Sequence, residues 1–150
     1  MERVHVFDIA SNSWFEQETT AENGIFPSKR QEFCTVVASA GDGSSHNIYI
    51  YAGWDLQLRA KDVYVLSLPS FHWIPVSIGL QPRINHRCAK FQQHYLISYR
   101  GGGPDSTPCD TNQGLQIFDL STLEWTESFT VSGESKYTVP EKVHSIIGGE

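Results

Sequence analysis

The chain is short of basic residues: 11 Lys and Arg stand against 17 Asp and Glu in 150 residues, a formal net charge of −6. The basic residues it has are scattered. Nucleic-acid binding depends on Lys and Arg neutralising phosphates, so that class of partner is not expected. No segment approaches the roughly 20 consecutive apolar residues that span a bilayer as a helix, and residues 1–20 lack the apolar stretch of a signal peptide. The three cysteines, Cys34, Cys88 and Cys109, lie too far apart for a zinc motif of paired cysteines. The six histidines never form a closely spaced two-histidine metal motif; His86 and Cys88, on one face of a strand, are the best pair, without a further close ligand. The long loop from Gly103 to Gly114 lacks the Gly-Lys-Ser/Thr ending that grips a phosphate, and no Ser nucleophile motif occurs.

What is present is repetition. Val4 to Trp14 (VHVFDIASNSW) returns as Val63 to Trp73 (VYVLSLPSFHW) and as Leu115 to Trp125 (LQIFDLSTLEW), starting 59 and then 52 residues on. Each copy opens with alternating apolar residues, crosses a short polar turn and ends in Trp, the pattern of a β-hairpin. A period of this length predicts four strands per repeat. The other two strands are found upstream of each later hairpin: Phe33–Ala38 with Asn47–Gly53, and His86–Phe91 with Tyr95–Gly102. Arg30 precedes the first pair and Arg83 the second. Residues 18–29 read as a polar loop broken at Asn23-Gly24 and Pro27, and 54–61 as a loop carrying Trp54 and two Leu. Trp54 and its neighbours either cover an edge of the fold or form a contact surface.

Taken together, the order Arg, strand, strand ending in Gly, loop, Asp-containing strand, turn, Trp-ended strand resembles the kelch repeat of β-propeller proteins, including those of the galactose oxidase superfamily. The resemblance covers about residues 3–130, with Gly101-Gly102 matching the family's double glycine and Ala52-Gly53 standing at the corresponding place. It implies an all-β, partial propeller: residues 1–17 as the outer half of a blade, 30–77 and 83–130 as complete four-stranded antiparallel blades, and a tail from 131 to 150. Apolar residues Val139, Val143, Ile146 and Ile147 predict a short helix in that tail, with Thr138 and Glu141 as a capping box and Pro140 in its first turn. The tail also resembles the segment after the last blade of fungal kelch-repeat proteins, which commonly continue into a membrane-spanning helix. The chain is thus expected to be the C-terminal part of a larger propeller, on the extracellular side of a membrane-anchored parent or, alternatively, in the cytoplasm.

The resemblance implies a non-catalytic module without cofactor that presents loops to a protein or a carbohydrate. The face carrying the longer connections gathers Arg30, Trp54, Asp55, Arg59, Arg83, Arg100, Asp105 and Asp110, a mixture suited to polar recognition. For Arg30 and Arg83 the competing reading is hydrogen bonding to backbone carbonyls. The rival function is part of a copper oxidase like galactose oxidase, whose two Tyr and two His have no positional match here. The long loop after Tyr95–Gly102 could fold back over its own sheet, so Cys88 and Cys109 are a candidate disulfide, against three free thiols; Cys34 is expected to be buried and unpaired.

Overall fold

The structure, a computed structural model, describes residues 1–55, 57–79, 81–102, 114–129 and 136–148. In chain order its elements are β1 (Arg3–Asp8), β2 (Ser13–Glu18), β3 (Thr20–Ala21), a single 3-10 turn (Glu22–Gly24), β4 (Cys34–Ser39), β5 (His46–Trp54), β6 (Arg59–Leu68), β7 (His72–Ile78), β8 (Arg87–Phe91), β9 (Tyr95–Tyr99), β10 (Leu115–Asp119), β11 (Glu124–Thr126) and α1 (Glu141–Ile147). They form a hairpin β1-β2, a sheet ordered β3-β7-β6-β5-β4 and a sheet ordered β11-β10-β9-β8.

The three sequence repeats are three hairpins with one geometry. Phe7 pairs with Trp14, Leu66 with Trp73 and Phe118 with Trp125. In each turn the residue two before the Trp, Asn12, Phe71 or Leu123, takes a positive φ of 50–62°. The Asp shared by the first and third hairpins, where the second has Ser67, has a local reason. Asp8 accepts from the amides of Ala10 and Ser11, and Asp119 from those of Ser121 and Thr122, so each carboxylate caps its own turn.

All eight strands expected of the two larger sheets form, and their mutual pairing is antiparallel. Three expectations are corrected. First, the segment after the first hairpin is not wholly loop: Thr20 and Ala21 add β3 in parallel to β7, with the Thr20 amide bonded to the Phe71 carbonyl. Second, residues 54–61 are not wholly loop: Trp54 ends β5, and β6 begins at Arg59. An irregularity between Tyr51 and Gly53 lets the ladder resume at Gly53↔Ala60 and Trp54↔Arg59, so that only four residues separate β5 from β6. Third, the helix forms without its capping box: Pro140 is the N-cap and makes no side-chain cap bond, and the Thr138 amide instead donates to Ser121 Oγ.

Glycine marks the end of the second strand in each sheet for a steric reason. Gly53 and Gly101 have φ of 102° and 106°, and a Cβ on either would lie 2.8 Å from a backbone carbonyl, that of Gln31 or Ile84. The matching bridges Gln31↔Trp54 and Ile84↔Gly102 align Gly53 with Gly101, so Gly53-Trp54, and not Ala52-Gly53 as expected, stands where the other sheet has the double glycine Gly101-Gly102. Ala52 therefore corresponds to Arg100, each with positive φ.

The sheets stack in chain order. One face of the β4–β7 sheet packs Ile50, Tyr64, Leu66 and Trp73 against Met1, Val4 and Phe26 of the N-terminal segment. The other packs Val36, Tyr49, Tyr51, Val63, Val65 and Ile74 against Leu96, Phe118 and Leu120 of the next sheet. Side-chain alternation supplies both faces from the same strands, and each fully buried large apolar side chain contributes about 1.5–3 kcal/mol. The tail closes one end of this junction: Tyr137, Val139 and Val143 are buried in it, and Tyr49 Oη, Tyr137 Oη and Asn47 Nδ2 form a chain of hydrogen bonds of 2.9 and 3.1 Å. Among the described residues no helix is long and apolar enough to cross a membrane.

Candidate functional site

Arg30 and Arg83 occupy equivalent places, and both are engaged inside the fold. The Arg30 guanidinium, 2% exposed, pairs with Asp62 and donates to the carbonyls of Ala52 and Ser28. The Arg83 Nη1, also buried, donates to the Ser98 carbonyl and hydroxyl and to the carbonyls of Arg100 and Gly114, at 3.1–3.3 Å. Ala52 corresponds to Arg100 and Asp62 to Gly114, so one architecture is satisfied by a carboxylate in one sheet and by a carbonyl in the other. The carbonyl-bonding reading of these two arginines is therefore the one that the geometry displays, and each fixes the end of its second strand from beneath.

That strand end carries the exposed candidates. The Gly53 amide donates to the Arg83 carbonyl at 2.9 Å, stitching the two sheets together beside Trp54. A cleft of about 420 Å³ opens there, lined by Glu32, Trp54, Gln57 and Arg59 from one sheet and by Ile84 and Asn85 from the other. Glu32 and Asn85 sit two residues after Arg30 and Arg83 and share the left-handed backbone, with φ of 59° and 55°. Glu32 Oε2 is buried with no hydrogen-bond partner among the described residues. Neither Glu32 nor Asn85 was expected in the site; the signal was their matching offset from the two arginines.

Asp55 belongs to the turn rather than to the cleft wall. Its carboxylate accepts from the amides of Leu58 and Gln57 at 2.7 and 3.1 Å, and these bonds hold its pKa below the usual carboxylate value, with Ser28 and Arg30 contributing further. Arg100 is exposed on the second sheet, where its guanidinium lies over the Tyr99 ring at 5.3 Å and donates to Tyr99 Oη. Asp105 and Asp110 lie outside the described residues. Of the candidates, the fold thus brings Trp54 and Arg59 to one cleft, places Asp55 in the turn between them and buries Arg30 and Arg83. A larger groove of about 740 Å³, between the N-terminal hairpin and the first sheet, includes Arg30 but none of the others.

The cysteine expectations are overturned. Cys88 is bonded to Cys34, not to Cys109, with Cα atoms 5.6 Å apart. Cys34 is buried as expected, yet it is paired, because β4 and β8 lie side by side where the sheets meet. Cys109 lies outside the described residues. His86 is packed edge-on to Tyr51 at this corner, with ring centroids 5.3 Å apart. Burial first and the charge of Arg83 second lower its pKa to about 4, against an opposing effect of the Tyr51 backbone. Among the described residues, Cys34, His86 and Cys88 are the group of three His, Cys, Asp or Glu donors close enough to share an ion. The His86–Cys88 pair read from the sequence thus acquires a third donor from the neighbouring sheet.

No protein-family model matches the chain. The whole chain is 32% identical to a kelch repeat-containing protein of Arthroderma benhamiae, of which it spans 26%. Over 85% of its length it is 27% identical to a Rab9 effector protein with kelch motifs of Xenopus laevis, of which it spans 33%. The chain therefore spans about a quarter to a third of the curated relatives that it matches. Repeated hairpins ending in Trp, a buried Arg before each first strand, a glycine forced by a close carbonyl at the end of each second strand, and these two relatives together place the chain in the kelch-repeat family.

Proposed function

We propose that the chain contributes blades to a larger kelch propeller and that the cleft between its two sheets is part of a protein-binding face. Kelch-repeat relatives suggest a protein-interaction repeat domain, typically non-enzymatic. The observation that carries the reading is the cleft. It spans two repeats, combines the indole of Trp54 and the guanidinium of Arg59 with the amides of Gln57 and Asn85, and holds a buried carboxylate oxygen with no partner among the described residues. Aromatic and Arg side chains over polar groups form the usual centre of a protein interface. Arg30 and Arg83 support this face from below rather than touching the partner. Arg100 extends it on the second sheet, and Asp105 and Asp110 are proposed to join it from the connection beyond.

The test uses the full-length protein, labelled and applied to peptide and glycan arrays beside the Trp54→Ala/Arg59→Ala double variant. Loss of peptide binding with an unchanged far-UV circular dichroism spectrum supports the reading. Signal confined to the glycan array makes the ligand a carbohydrate, and equal binding by the double variant moves the site off this face.

A further inference from the structure

The corner where β4 meets β8 holds more chemistry than a cross-link requires. Cys34 Sγ, Cys88 Sγ and one ring nitrogen of His86 all lie within 4.8 Å of one another. Zinc–sulfur bonds of about 2.3 Å and zinc–nitrogen bonds of about 2.0 Å put two donors on one tetrahedral ion roughly 3.5–3.8 Å apart, so the reduced side chains need only small adjustments to share an ion. A second observation points the same way. His86 is 3% exposed, and among the described residues neither Nδ1 nor Nε2 has a partner at full hydrogen-bonding geometry, although the Tyr51 backbone is close enough to act on the ring. A buried imidazole normally satisfies its nitrogens, and a ring with at least one nitrogen left unsatisfied beside two sulfurs is available as a ligand. The equivalent position in the preceding repeat is Phe33, so stacking of the sheets does not itself require an imidazole.

We propose that reduction of the Cys34–Cys88 disulfide converts this corner into a site for one thiophilic d10 ion, zinc(II) or copper(I), held by the two cysteine sulfurs and a ring nitrogen of His86. Soft thiolate ligands select these ions. With a trialkylphosphine as reductant, phosphorus supplies the two electrons that break the S–S bond and leaves as the phosphine oxide, its oxygen coming from water, while the two sulfurs become thiols. Binding then exchanges the two thiol protons for the ion. Zinc(II) with two thiolates is neutral and copper(I) with two thiolates is anionic. The oxidised and metal-loaded forms are mutually exclusive, because each uses the same two sulfurs. Both tie β4 to β8, so the junction beneath the Trp54 cleft stays braced whether the surroundings are oxidising or reducing.

The experiment takes the whole chain, oxidised or phosphine-reduced, and measures zinc(II) and copper(I) separately by equilibrium dialysis under argon. The expected result is one equivalent bound by the reduced chain and none by the oxidised chain. Cys109→Ser should leave binding unchanged, whereas Cys34→Ser, Cys88→Ser and His86→Phe should each weaken it by more than the roughly tenfold typical of losing a supporting group. X-ray absorption on the loaded wild-type chain needs no variant and should give two sulfurs and one imidazole around the ion. If reduction unfolds the chain, recovery of its far-UV circular dichroism by one equivalent of ion supports the proposal. It is overturned by failure of that recovery, by equal binding to the oxidised chain, by a shell of nitrogen and oxygen alone, or by a His86→Phe variant that binds as the wild type does.

Discussion

The pairing of Arg30 with Asp62 allows a quantitative test of what the repeated arginine does. Arg30→Met keeps much of the apolar stem and removes the bonds to Asp62 and to the carbonyls of Ala52 and Ser28. Breaking a fully buried ion pair costs about 3–5 kcal/mol. Here the Arg30 side chain is 2% exposed but Asp62 is 34% exposed, so water takes over part of the abandoned carboxylate. We therefore expect a loss of about 2–3 kcal/mol for Arg30→Met. Asp62→Asn retains one acceptor oxygen for the guanidinium and should cost about 1–2 kcal/mol. The double variant should be little worse than Arg30→Met alone, which gives a coupling energy of about 1–2 kcal/mol in a double-mutant cycle. Urea unfolding followed by tryptophan fluorescence measures all three, since Trp54 stands at the end of the strand that Arg30 holds. A coupling below about 0.5 kcal/mol, the range of an exposed ion pair, would show that Arg30 is not the brace described above.

Gly53→Ala and Gly101→Ala should each destabilise by about 2 kcal/mol or more, because a Cβ meets a backbone carbonyl at 2.8 Å and the φ is unfavourable as well. Gly24→Ala, with positive φ but nothing within 4 Å, should cost only about 1 kcal/mol, and similar losses at all three sites would refute the close-approach argument. Tyr49→Phe leaves the Leu120 carbonyl and the Tyr137 hydroxyl short of a partner at the sheet junction, an expected loss of about 1–2 kcal/mol in thermal or urea unfolding; a neutral change would mean that water replaces the hydroxyl there. The N-terminal hairpin presents Ile9 and Trp14, 85% and 69% exposed, beside Phe15, so the chain should self-associate as its concentration rises in sedimentation experiments. Trp14→Ser should reduce that association, and an unaltered concentration dependence would locate the sticky surface elsewhere.

Much of this architecture was legible in the amino-acid sequence because its causes are local. Alternation of apolar residues, Asp caps on hairpin turns and Trp opposite Phe7, Leu66 and Phe118 act within about a dozen residues, and the strands form where those signals put them. The tail helix is local too, although its cap is not: Thr138 meets Ser121 only after the tail has docked. Tertiary structure decided everything that depends on which strands become neighbours. Cys34 and Cys88 are 54 residues apart and meet because stacking sets β4 beside β8, a proximity that no spacing along the chain encodes. The same stacking brings Ile84 and Asn85 against Trp54 and Arg59 to make the cleft, and turns Arg30 and Arg83 inward by offering them carbonyls and Asp62. The backbone irregularity after Tyr51 carried the ladder through Trp54 and shortened the expected loop, at a glycine that Gln31 and Phe33, in the segment before β4, approach closely. Side-chain pattern reports which face of a strand is apolar, whereas the identity of the surface that covers it is set by the packing of whole sheets.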